Sequence, residues 1–378
     1  MPGKGEGLAA EGLRNELSHR ERWLRCFHFQ PIDRIPNVEF GYWTDTFKRW
    51  HAEGLPEEID SNAKADRYFG FDPSVGMPVN LGLIPRFTPK VLHEDERRKV
   101  IVDATGVKCE VRADGSSSIP HYLEFPVKSR EDWEEFKKRL NPKSEGRFPP
   151  AERWERVKAE LNQADVPRHI SCGSLFGWPR NWMGFERATT LFYDDPQLMA
   201  EIMDTIVDLV TTVIAPALRE VQFDQGNFWE DMAFRNGPMI SPRLFEEFMV
   251  PRYQRITSLL REHGVDLVCV DCDGNINELV PLWLEAGVNM MFPIEVAAGT
   301  DPIELREKFG RRVLLKGGVN KRALAEGREA IKKELRRLVP LVEDGGFVPH
   351  VDHRVPPDVS FADYLYYLEA KKDIFGMT

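Results

Sequence analysis

The chain has 378 residues, of which 42% are hydrophobic and 30% charged, so it is long enough to bury a sizeable apolar core. Its formal charge of −10 argues against nucleic acid as a partner, because phosphate binding requires a basic surface. No segment stays apolar for the roughly 20 residues that a membrane-spanning helix needs. The amino terminus lacks the apolar stretch of a signal peptide, and the five cysteines suit reduced thiols, so we expect a soluble cytoplasmic protein.

The amino-terminal third is predicted to hold a helix, a first strand and a small inserted sheet. Residues 1–16 are expected to be flexible, a helix is predicted around 17–27, and RIPNVEF (34–40) is predicted to be the first strand. Short alternating pieces between 90 and 111 predict an antiparallel insertion. We expect residues 17–378 to form one domain, because neither side of the linker NPKSEGRFPP contains a complete set of alternating units.

From residue 168 onward, predicted strands alternate with predicted helices, and helical connections of this length imply parallel pairing. Six such units, with room for two more before residue 90, favour an α/β fold of the (β/α)8 TIM barrel type with a small antiparallel β insertion. Neither G-x-G-x-x-G nor G-x-x-x-x-G-K-[ST] occurs, which weakens a nucleotide-binding alternative. The predicted strands are HISCGS, QGNFWED, VDLVCVD, GVNMMFPIE, RVLLKGGV and GFVPH.

In a barrel, the carboxyl ends of all strands meet at one mouth, where ligands bind. The stretch VDLVCVDCDGNINELVPLWLE is the clearest case, because it passes from an apolar strand through a polar tip into a helix. The other strand ends also carry chemically competent side chains. The candidates are Glu230, Asp231, Asp271, Cys272, Asp273, Glu295, Lys316, His350, Asp352 and His353.

Each candidate also has a purely structural interpretation. Cys272 could be a small buried thiol, and Asp273 could cap the following helix. Glu230 and Asp231 could form salt bridges, and the glycines after Lys316 could form a tight turn. Aromatic residues near the mouth are often part of a core.

At these residues the chain resembles the uroporphyrinogen decarboxylase superfamily. The resemblance covers residues 168–374 and rests on CDGNINELVPLWLEAGVNMMFPIE, LLKGGVNKRAL and GGFVPHVDHRVPPDVSFADYLYYLEA. Members of that superfamily are (β/α)8 barrels, in agreement with the strand count. They comprise tetrapyrrole decarboxylases and zinc-dependent methyltransferases that serve corrinoid proteins.

The resemblance favours the methyltransferase branch. True decarboxylases carry an R-Q-A-G-R-Y type motif near the first strand, whereas this chain has GYWTDTFKRWHAEGLP without such an arginine pair. Its acidic strand ends would also repel an octacarboxylate. The methyltransferases use a histidine and two cysteines as zinc ligands. Here Asp271 or Cys272 stands near the first ligand position and His353 near the last, so the ligand set departs from the pattern.

The resemblance therefore predicts an enzyme that moves a methyl group between a small O-, N- or S-methylated substrate and a corrinoid protein, assisted by zinc. Glu230 is expected to face the mouth with Cys272, and loss of its charge is expected to lower turnover more than stability. The predicted catalytic residues are Glu230, Asp271 and Asp231. The predicted zinc ligands are Cys272, His353, His350 and Glu230. The predicted substrate-binding residues are Tyr42, Trp43, Trp178, Trp182, Trp229 and Lys316.

Two alternatives remain open at this point. The first is a tetrapyrrole decarboxylase of the uroporphyrinogen type. The second is a barrel that has lost its chemistry and binds a tetrapyrrole or corrinoid partner. A homodimer is compatible with the sequence, which does not decide the oligomeric state.

Overall fold

The architecture centres on a curled sheet of seven parallel strands in a computed structural model that describes residues 16–115 and 120–377. Its strand order is β1-β6-β7-β10-β11-β12-β13, with helices on the convex side. This arrangement is TIM-barrel-like and confirms the predicted fold class.

Of the segment predicted to be flexible, residues 1–15 lie outside the described ranges. The strands are β1 (Val75–Gly76), β2 (Lys90–Glu94), β3 (Arg98–Val102), β4 (Lys108–Arg112), β5 (His121–Glu124), β6 (Arg168–Ser171), β7 (Gln225–Trp229), β8 (Ala233–Phe234), β9 (Gly237–Pro238), β10 (Leu267–Asp271), β11 (Met290–Phe292), β12 (Leu314–Val319) and β13 (Phe347–Val351).

From β6 onward, at least one helix follows each strand of the parallel sheet, as the alternating sequence pattern predicts. A π-helical turn at Phe245–Met249 joins the ninth and tenth helices into one rod, and Ser241 caps this rod because its Oγ accepts the Leu244 N–H. No helix within the described ranges is long and apolar enough to cross a membrane. The helices are α1 (His19–Phe27), α2 (Thr44–Ala52), α3 (Asn62–Phe69), α4 (Arg130–Phe136), α5 (Ala151–Gln163), α6 (Gly177–Met183), α7 (Phe185–Asp194), α8 (Pro196–Glu220), α9 (Pro242–Leu244), α10 (Val250–Glu262), α11 (Val280–Glu285), α12 (Pro302–Phe309), α13 (Lys321–Ala325), α14 (Arg328–Asp344) and α15 (Phe361–Ile374).

The prediction that residues 34–40 form the first strand is wrong, because this segment does not pair with the sheet. This segment lies beside the end of β13 without forming a ladder, and a single bridge joins Tyr42 to Val355 just beyond it. Pro36 has no N–H to donate to a neighbouring strand. In addition, the Val351 N–H on β13 donates to the Glu39 carboxylate, whereas in a paired sheet it would donate to a backbone carbonyl of the neighbouring strand. The parallel sheet begins instead with β1, a two-residue strand.

The predicted antiparallel insertion is confirmed and is larger than expected. Four strands, β2 to β5, form a separate meander between residues 90 and 124. Its outer strands leave Val91, Leu92, Tyr122 and Leu123 exposed. Because this sheet is separate from the parallel sheet, it contributes no strand end to the mouth of the barrel.

Side-chain alternation divides the apolar residues of the parallel strands between two clusters. On β10, Val268 and Val270 face the helices and belong to the main core, whereas Leu267 and Cys269 face inward. The inward cluster also contains Met290, Leu314 and Val348 from the next three strands and Trp23, Cys26 and Phe27 from α1. These strand residues lie near the amino ends of their strands, so α1 closes that end of the barrel.

A stability prediction follows from Gly317, which lies within β12 directly after Lys316. Its φ is +100°, and a Cβ there would lie 1.8 Å from the Pro293 carbonyl oxygen. Gly327 has a similar φ of +95° but open space around it. We expect Gly327→Ala to show only the conformational penalty of about 1–3 kcal/mol, and Gly317→Ala to lose clearly more. Urea unfolding followed by circular dichroism measures both variants, and equal losses would show that the Pro293 carbonyl moves aside freely.

Candidate active site

The inner face of the sheet becomes polar toward the carboxyl ends of the strands. Alternation turns His169 and Ser171 inward on β6, Asn227 on β7 and Asp271 on β10, in positions where the outer neighbours are apolar. These ends enclose a cavity of about 340 Å³ that opens at the mouth of the barrel. Its walls include Trp178, Asn227, Trp229, Asp271, Phe292 and Lys316.

Parallel register places the principal lining residues side by side. Asp271 on β10 pairs with Trp229 on β7 and with Phe292 on β11. Met291 pairs with Leu315, so Phe292 comes next to Lys316 on β12. The Lys316 Nζ lies 4.8 Å from the centre of the Phe292 ring. An aromatic residue therefore lies on each side of Asp271, and a lysine lies beyond Phe292.

Asp271 has the electrostatic setting of an acid–base group. Burial raises the pKa of its carboxyl group to about 7, and the nearby charges of Asp273 and Asp231 add to the rise. Lys316 and His353 oppose the rise to a smaller extent. Within the part of the chain that the structure describes, no hydrogen-bond donor contacts this carboxyl group. Asp271 can therefore hold or release a proton near neutral pH while facing the cavity.

Two side-chain contacts made by carboxylates form the rim above the cavity. The Asp231 carboxylate binds the Arg180 guanidinium at 2.8 Å, and Arg180 Nη1 also donates to the Asp231 carbonyl. The Asp273 carboxylate lies 3.1 Å from the His353 Nε2. The His353 ring stacks on Trp43, with 5.7 Å between the ring centres. Asp231 and Asp273 are thus engaged with side-chain partners, whereas Asp271 is not. The alternative of Asp273 as a helix cap fails, because α11 begins at Val280.

Glu230 does not face the mouth, which corrects its predicted position. It shares one face with Phe228, as the alternation predicts, but that face points toward the helices. The carboxylate is fully buried and accepts hydrogen bonds from Ser174 Oγ, from the Tyr253 hydroxyl and from backbone N–H groups. The backbone donors are Leu175, Phe176 and Gly177. Burial raises the pKa of Glu230, and the hydrogen bonds from Tyr253 and from the three backbone N–H groups oppose the rise.

The four predicted zinc ligands do not converge. Cys272 lies on the same outer face as Glu230, and its Sγ accepts the Met232 N–H at 3.2 Å. His350 is buried inside the barrel, with its Nδ1 bonded to the Val351 carbonyl, and His353 lies on the rim. Among residues 16–115 and 120–377, no group of three or more His, Cys, Asp and Glu side chains could hold a metal ion. The predicted ligand set therefore does not fit zinc, and burial raises the pKa of the Cys272 thiol well above its usual range.

The predicted substrate-binding residues divide into three groups. Trp178, Trp229 and Lys316 line the cavity. Trp43 lies on the rim against His353. Tyr42 and Trp182 are core residues, which corrects their predicted placement. The Tyr42 hydroxyl bonds to the Tyr364 hydroxyl at 2.7 Å, and Trp182 packs on Trp133 and Phe136.

Sequence reasoning missed several inward-facing residues. Glu39, His169, Ser171 and Asn227 line the interior, although none was predicted as a site residue. His169 and Ser171 alternate with the buried Ile170, and that alternation was the available signal for two of them. Alternation could not have identified Glu39, because its segment does not form a strand and its side chains do not alternate between two faces of the sheet.

The part of the chain that forms this cavity also matches a family model. Residues 99–374 match the family described as uroporphyrinogen decarboxylase (URO-D). The chain belongs to the URO-D family. The match includes β6 to β13, and hence every strand that lines the mouth cavity.

Curated relatives of this URO-D family member match about half of it. A uroporphyrinogen decarboxylase from Pseudomonas savastanoi pv. phaseolicola is 26% identical over 190 residues, which cover 47% of this chain and 49% of that protein. A uroporphyrinogen decarboxylase from Pseudomonas fluorescens is 26% identical over 209 residues, 50% of this chain and 52% of that protein. The chain thus spans about half the length of the curated relatives it matches.

A solved structure shares the fold over nearly the whole chain. A methyltransferase from Methanosarcina mazei superposes with a TM-score of 0.59 at 18% sequence identity. The superposition covers 95% of this chain and 100% of that protein. At this level of identity the likeness supports the barrel-like fold.

We expect replacement of Glu230 to lower the stability of the folded protein. In Glu230→Gln, an NH2 group replaces one carboxylate oxygen and faces N–H and O–H donors, so the free energy of unfolding should fall by about 2–4 kcal/mol. Tyr253→Phe is the matched control, because it removes one of the five donors and should lose about 1–2 kcal/mol. Urea unfolding measures both losses. A Glu230→Gln variant as stable as the parent would contradict the scaffold role.

Proposed function

We propose that this protein transfers a methyl group between a small methylated substrate and a corrinoid carried by a partner protein, with Asp271 as the proton donor. The observation that carries the proposal is the setting of Asp271. Its carboxyl group faces a cavity walled by Trp178, Trp229 and Phe292, and its pKa is about 7. A small site with apolar walls and one acid suits a methoxy or methylamino group.

The chemistry requires one bond exchange and one proton. The bond between the methyl carbon and its oxygen or nitrogen breaks as the acceptor's electron pair forms a new bond to that carbon. The electrons of the broken bond remain on the oxygen or nitrogen, which then takes the proton of Asp271. Protonation stabilises the leaving group as charge develops on it, and the aromatic walls exclude water.

The partner's corrinoid would supply the methyl acceptor. Asp271 lies at the carboxyl end of β10, where the cavity opens to the mouth, so a methyl group held beside it is reached from that side. The proposal includes no zinc step, because the predicted ligands lie apart. The leaving-group stabilisation that zinc was expected to provide is assigned to Asp271.

Decarboxylation of a tetrapyrrole is the second candidate, and the activity named for the Pseudomonas relatives favours it. The charges at the mouth argue against it. The carboxylates of Asp231, Asp271 and Asp273 lie there, while Arg180 is already engaged by Asp231. Lys316, the cation that lines the cavity, can accept one carboxylate but cannot offset eight, so an octacarboxylate would still meet net repulsion. A non-catalytic barrel would bind a corrinoid protein without any methyl transfer, so the same transfer assay separates it.

We expect Asp271→Asn to lower methyl transfer by about a hundredfold or more, because the variant cannot donate a proton. The assay uses a methoxylated or methylated donor and a cob(I)alamin acceptor. In the parent protein, transfer should fall as pH rises through about 7, where Asp271 loses its proton. Asp266→Asn is the control, since Asp266 lies at the amino end of the same strand and pairs with His28. Equal activity of both variants would remove Asp271 from the mechanism.

The same substitution should stabilise the protein at high pH. The folded-state pKa of Asp271 is raised from 3.8 to about 7, so the unfolded chain releases this proton more readily than the folded chain. The native state therefore loses stability as pH rises between these two values, and Asp271→Asn removes that loss. The melting temperature of the variant should exceed that of the parent at pH 8, and the gap should shrink toward pH 4. A lower melting temperature at pH 8 would identify Asp271 as a scaffold residue.

We expect no coproporphyrinogen when the protein is incubated with uroporphyrinogen, because three carboxylates at the mouth repel a substrate that carries eight carboxylates. Chromatography of the oxidised porphyrins measures the products. Formation of coproporphyrinogen at an enzyme-like rate would place the decarboxylase candidate first.

A further inference from the structure

Lys316 is a cation inside the barrel that forms no ion pair with any residue that the structure describes. Its Nζ lies between two aromatic rings, 5.1 Å from the centre of Trp23 and 4.8 Å from the centre of Phe292. Among residues 16–115 and 120–377, no carboxylate forms an ion pair with the Lys316 ammonium group. No residue in these ranges forms a hydrogen bond with it either. Lys321 and Arg180 differ in this respect, because Lys321 binds Glu295 at 2.7 Å and Arg180 binds Asp231.

A second cavity meets the mouth cavity at this lysine. It has a volume of about 210 Å³ and shares Lys316 and Phe292 with the mouth cavity. Its inner walls also include His169, His350 and Glu39. Lys316 therefore lines both cavities.

His169 in the second cavity can donate a hydrogen bond without carrying charge, whereas His350 already donates from its Nδ1 to the Val351 carbonyl. Burial, followed by the charge of Lys316, lowers the pKa of His169 to about 3 and that of His350 well below its usual value. The His169 Nδ1 is buried and has no hydrogen-bond partner among the described residues. A buried polar nitrogen without a partner is unfavourable unless a ligand or water satisfies it. The positive charge of Lys316 thus lies beside the neutral His169 ring, whose Nδ1 has no hydrogen-bond partner among the described residues.

We propose that Lys316 and His169 form an anion subsite that holds a carboxylate of the substrate. This inference rests on the proposed function, since it names the end of the substrate opposite the methyl group. A monoanion is favoured over a phosphate dianion, because Glu39 and Asp271 lie near and would repel a second negative charge.

The register sets the length of such a substrate. Lys316 lies two strands away from Asp271 in one row, so their Cα atoms are separated by about 10 Å. Phe292 lies between them, and Trp229 lies on the other side of Asp271. This arrangement suits a small flat molecule with a carboxylate at one end and a methylated oxygen or nitrogen at the other. A methoxylated aromatic acid has this chemistry.

Binding without chemistry tests the subsite. The probes are 4-methoxybenzoate and its neutral counterpart 4-methoxybenzyl alcohol, titrated calorimetrically without any methyl acceptor. The parent protein should bind the carboxylate at least about tenfold more tightly than the alcohol, because a charge-assisted hydrogen bond is formed with the carboxylate alone. Lys316→Met keeps the apolar stem and should abolish this preference, whereas Lys316→Arg should retain it. Lys321→Met is the matched control and should leave the preference unchanged.

The outcomes are distinct. A Lys316→Met variant that folds normally by circular dichroism and keeps the preference overturns the subsite, and so does a parent protein that does not bind 4-methoxybenzoate. Asp271→Asn should keep the preference while losing methyl transfer. A parent protein that prefers the carboxylate but transfers no methyl group refutes the proposed function and leaves the subsite standing.

Discussion

The register of four neighbouring parallel strands is the constraint on which the site depends. Backbone pairing places Trp229, Asp271, Phe292 and Lys316 in one row, although 87 residues of sequence separate the first from the last. A shift of one residue on β10 would turn Asp271 into the helix layer and bring Val270 or Cys272 into the cavity. The apolar outer face prevents this shift, because Val268 and Val270 must remain buried under the helices. Packing on one face thus sets the chemistry on the other.

The buried Glu230 carboxylate connects this row with the loop after β6. It binds three successive backbone N–H groups at the start of α6, the helix that carries Trp178 into the cavity wall. Tyr253 on α10 donates to the same carboxylate at 2.6 Å. One charged group outside the cavity therefore holds a strand end, a loop and a helix in fixed positions. Glu230 therefore fixes part of the cavity wall from outside the cavity.

Much of the architecture was predictable, because runs such as VDLVCVD and RVLLKGGV have the length and apolarity of buried parallel strands. The polar strand tips were also predictable, and Asp271 and Lys316 do line one cavity. The face of each tip residue was harder to assign. Beyond the last paired residue of a strand, both faces can be polar, since a buried carboxylate such as Glu230 is satisfied by loop N–H groups that no sequence pattern reveals. The absence of pairing at residues 34–40 depended likewise on a side-chain contact from Glu39.

The closure of the barrel by α1 has a consequence for how the chain folds. The first described helix packs against the last strand: the Gly346 N–H donates to the Cys26 carbonyl, and the Cys26 thiol donates to the Phe347 carbonyl across 321 positions. Contacts between distant parts of a chain are entropically expensive to form and slow folding. The floor of the barrel cannot be completed until β13 has been synthesised. A chain interrupted during synthesis would therefore expose the apolar interior around Met290 and Leu314, and such surfaces promote aggregation.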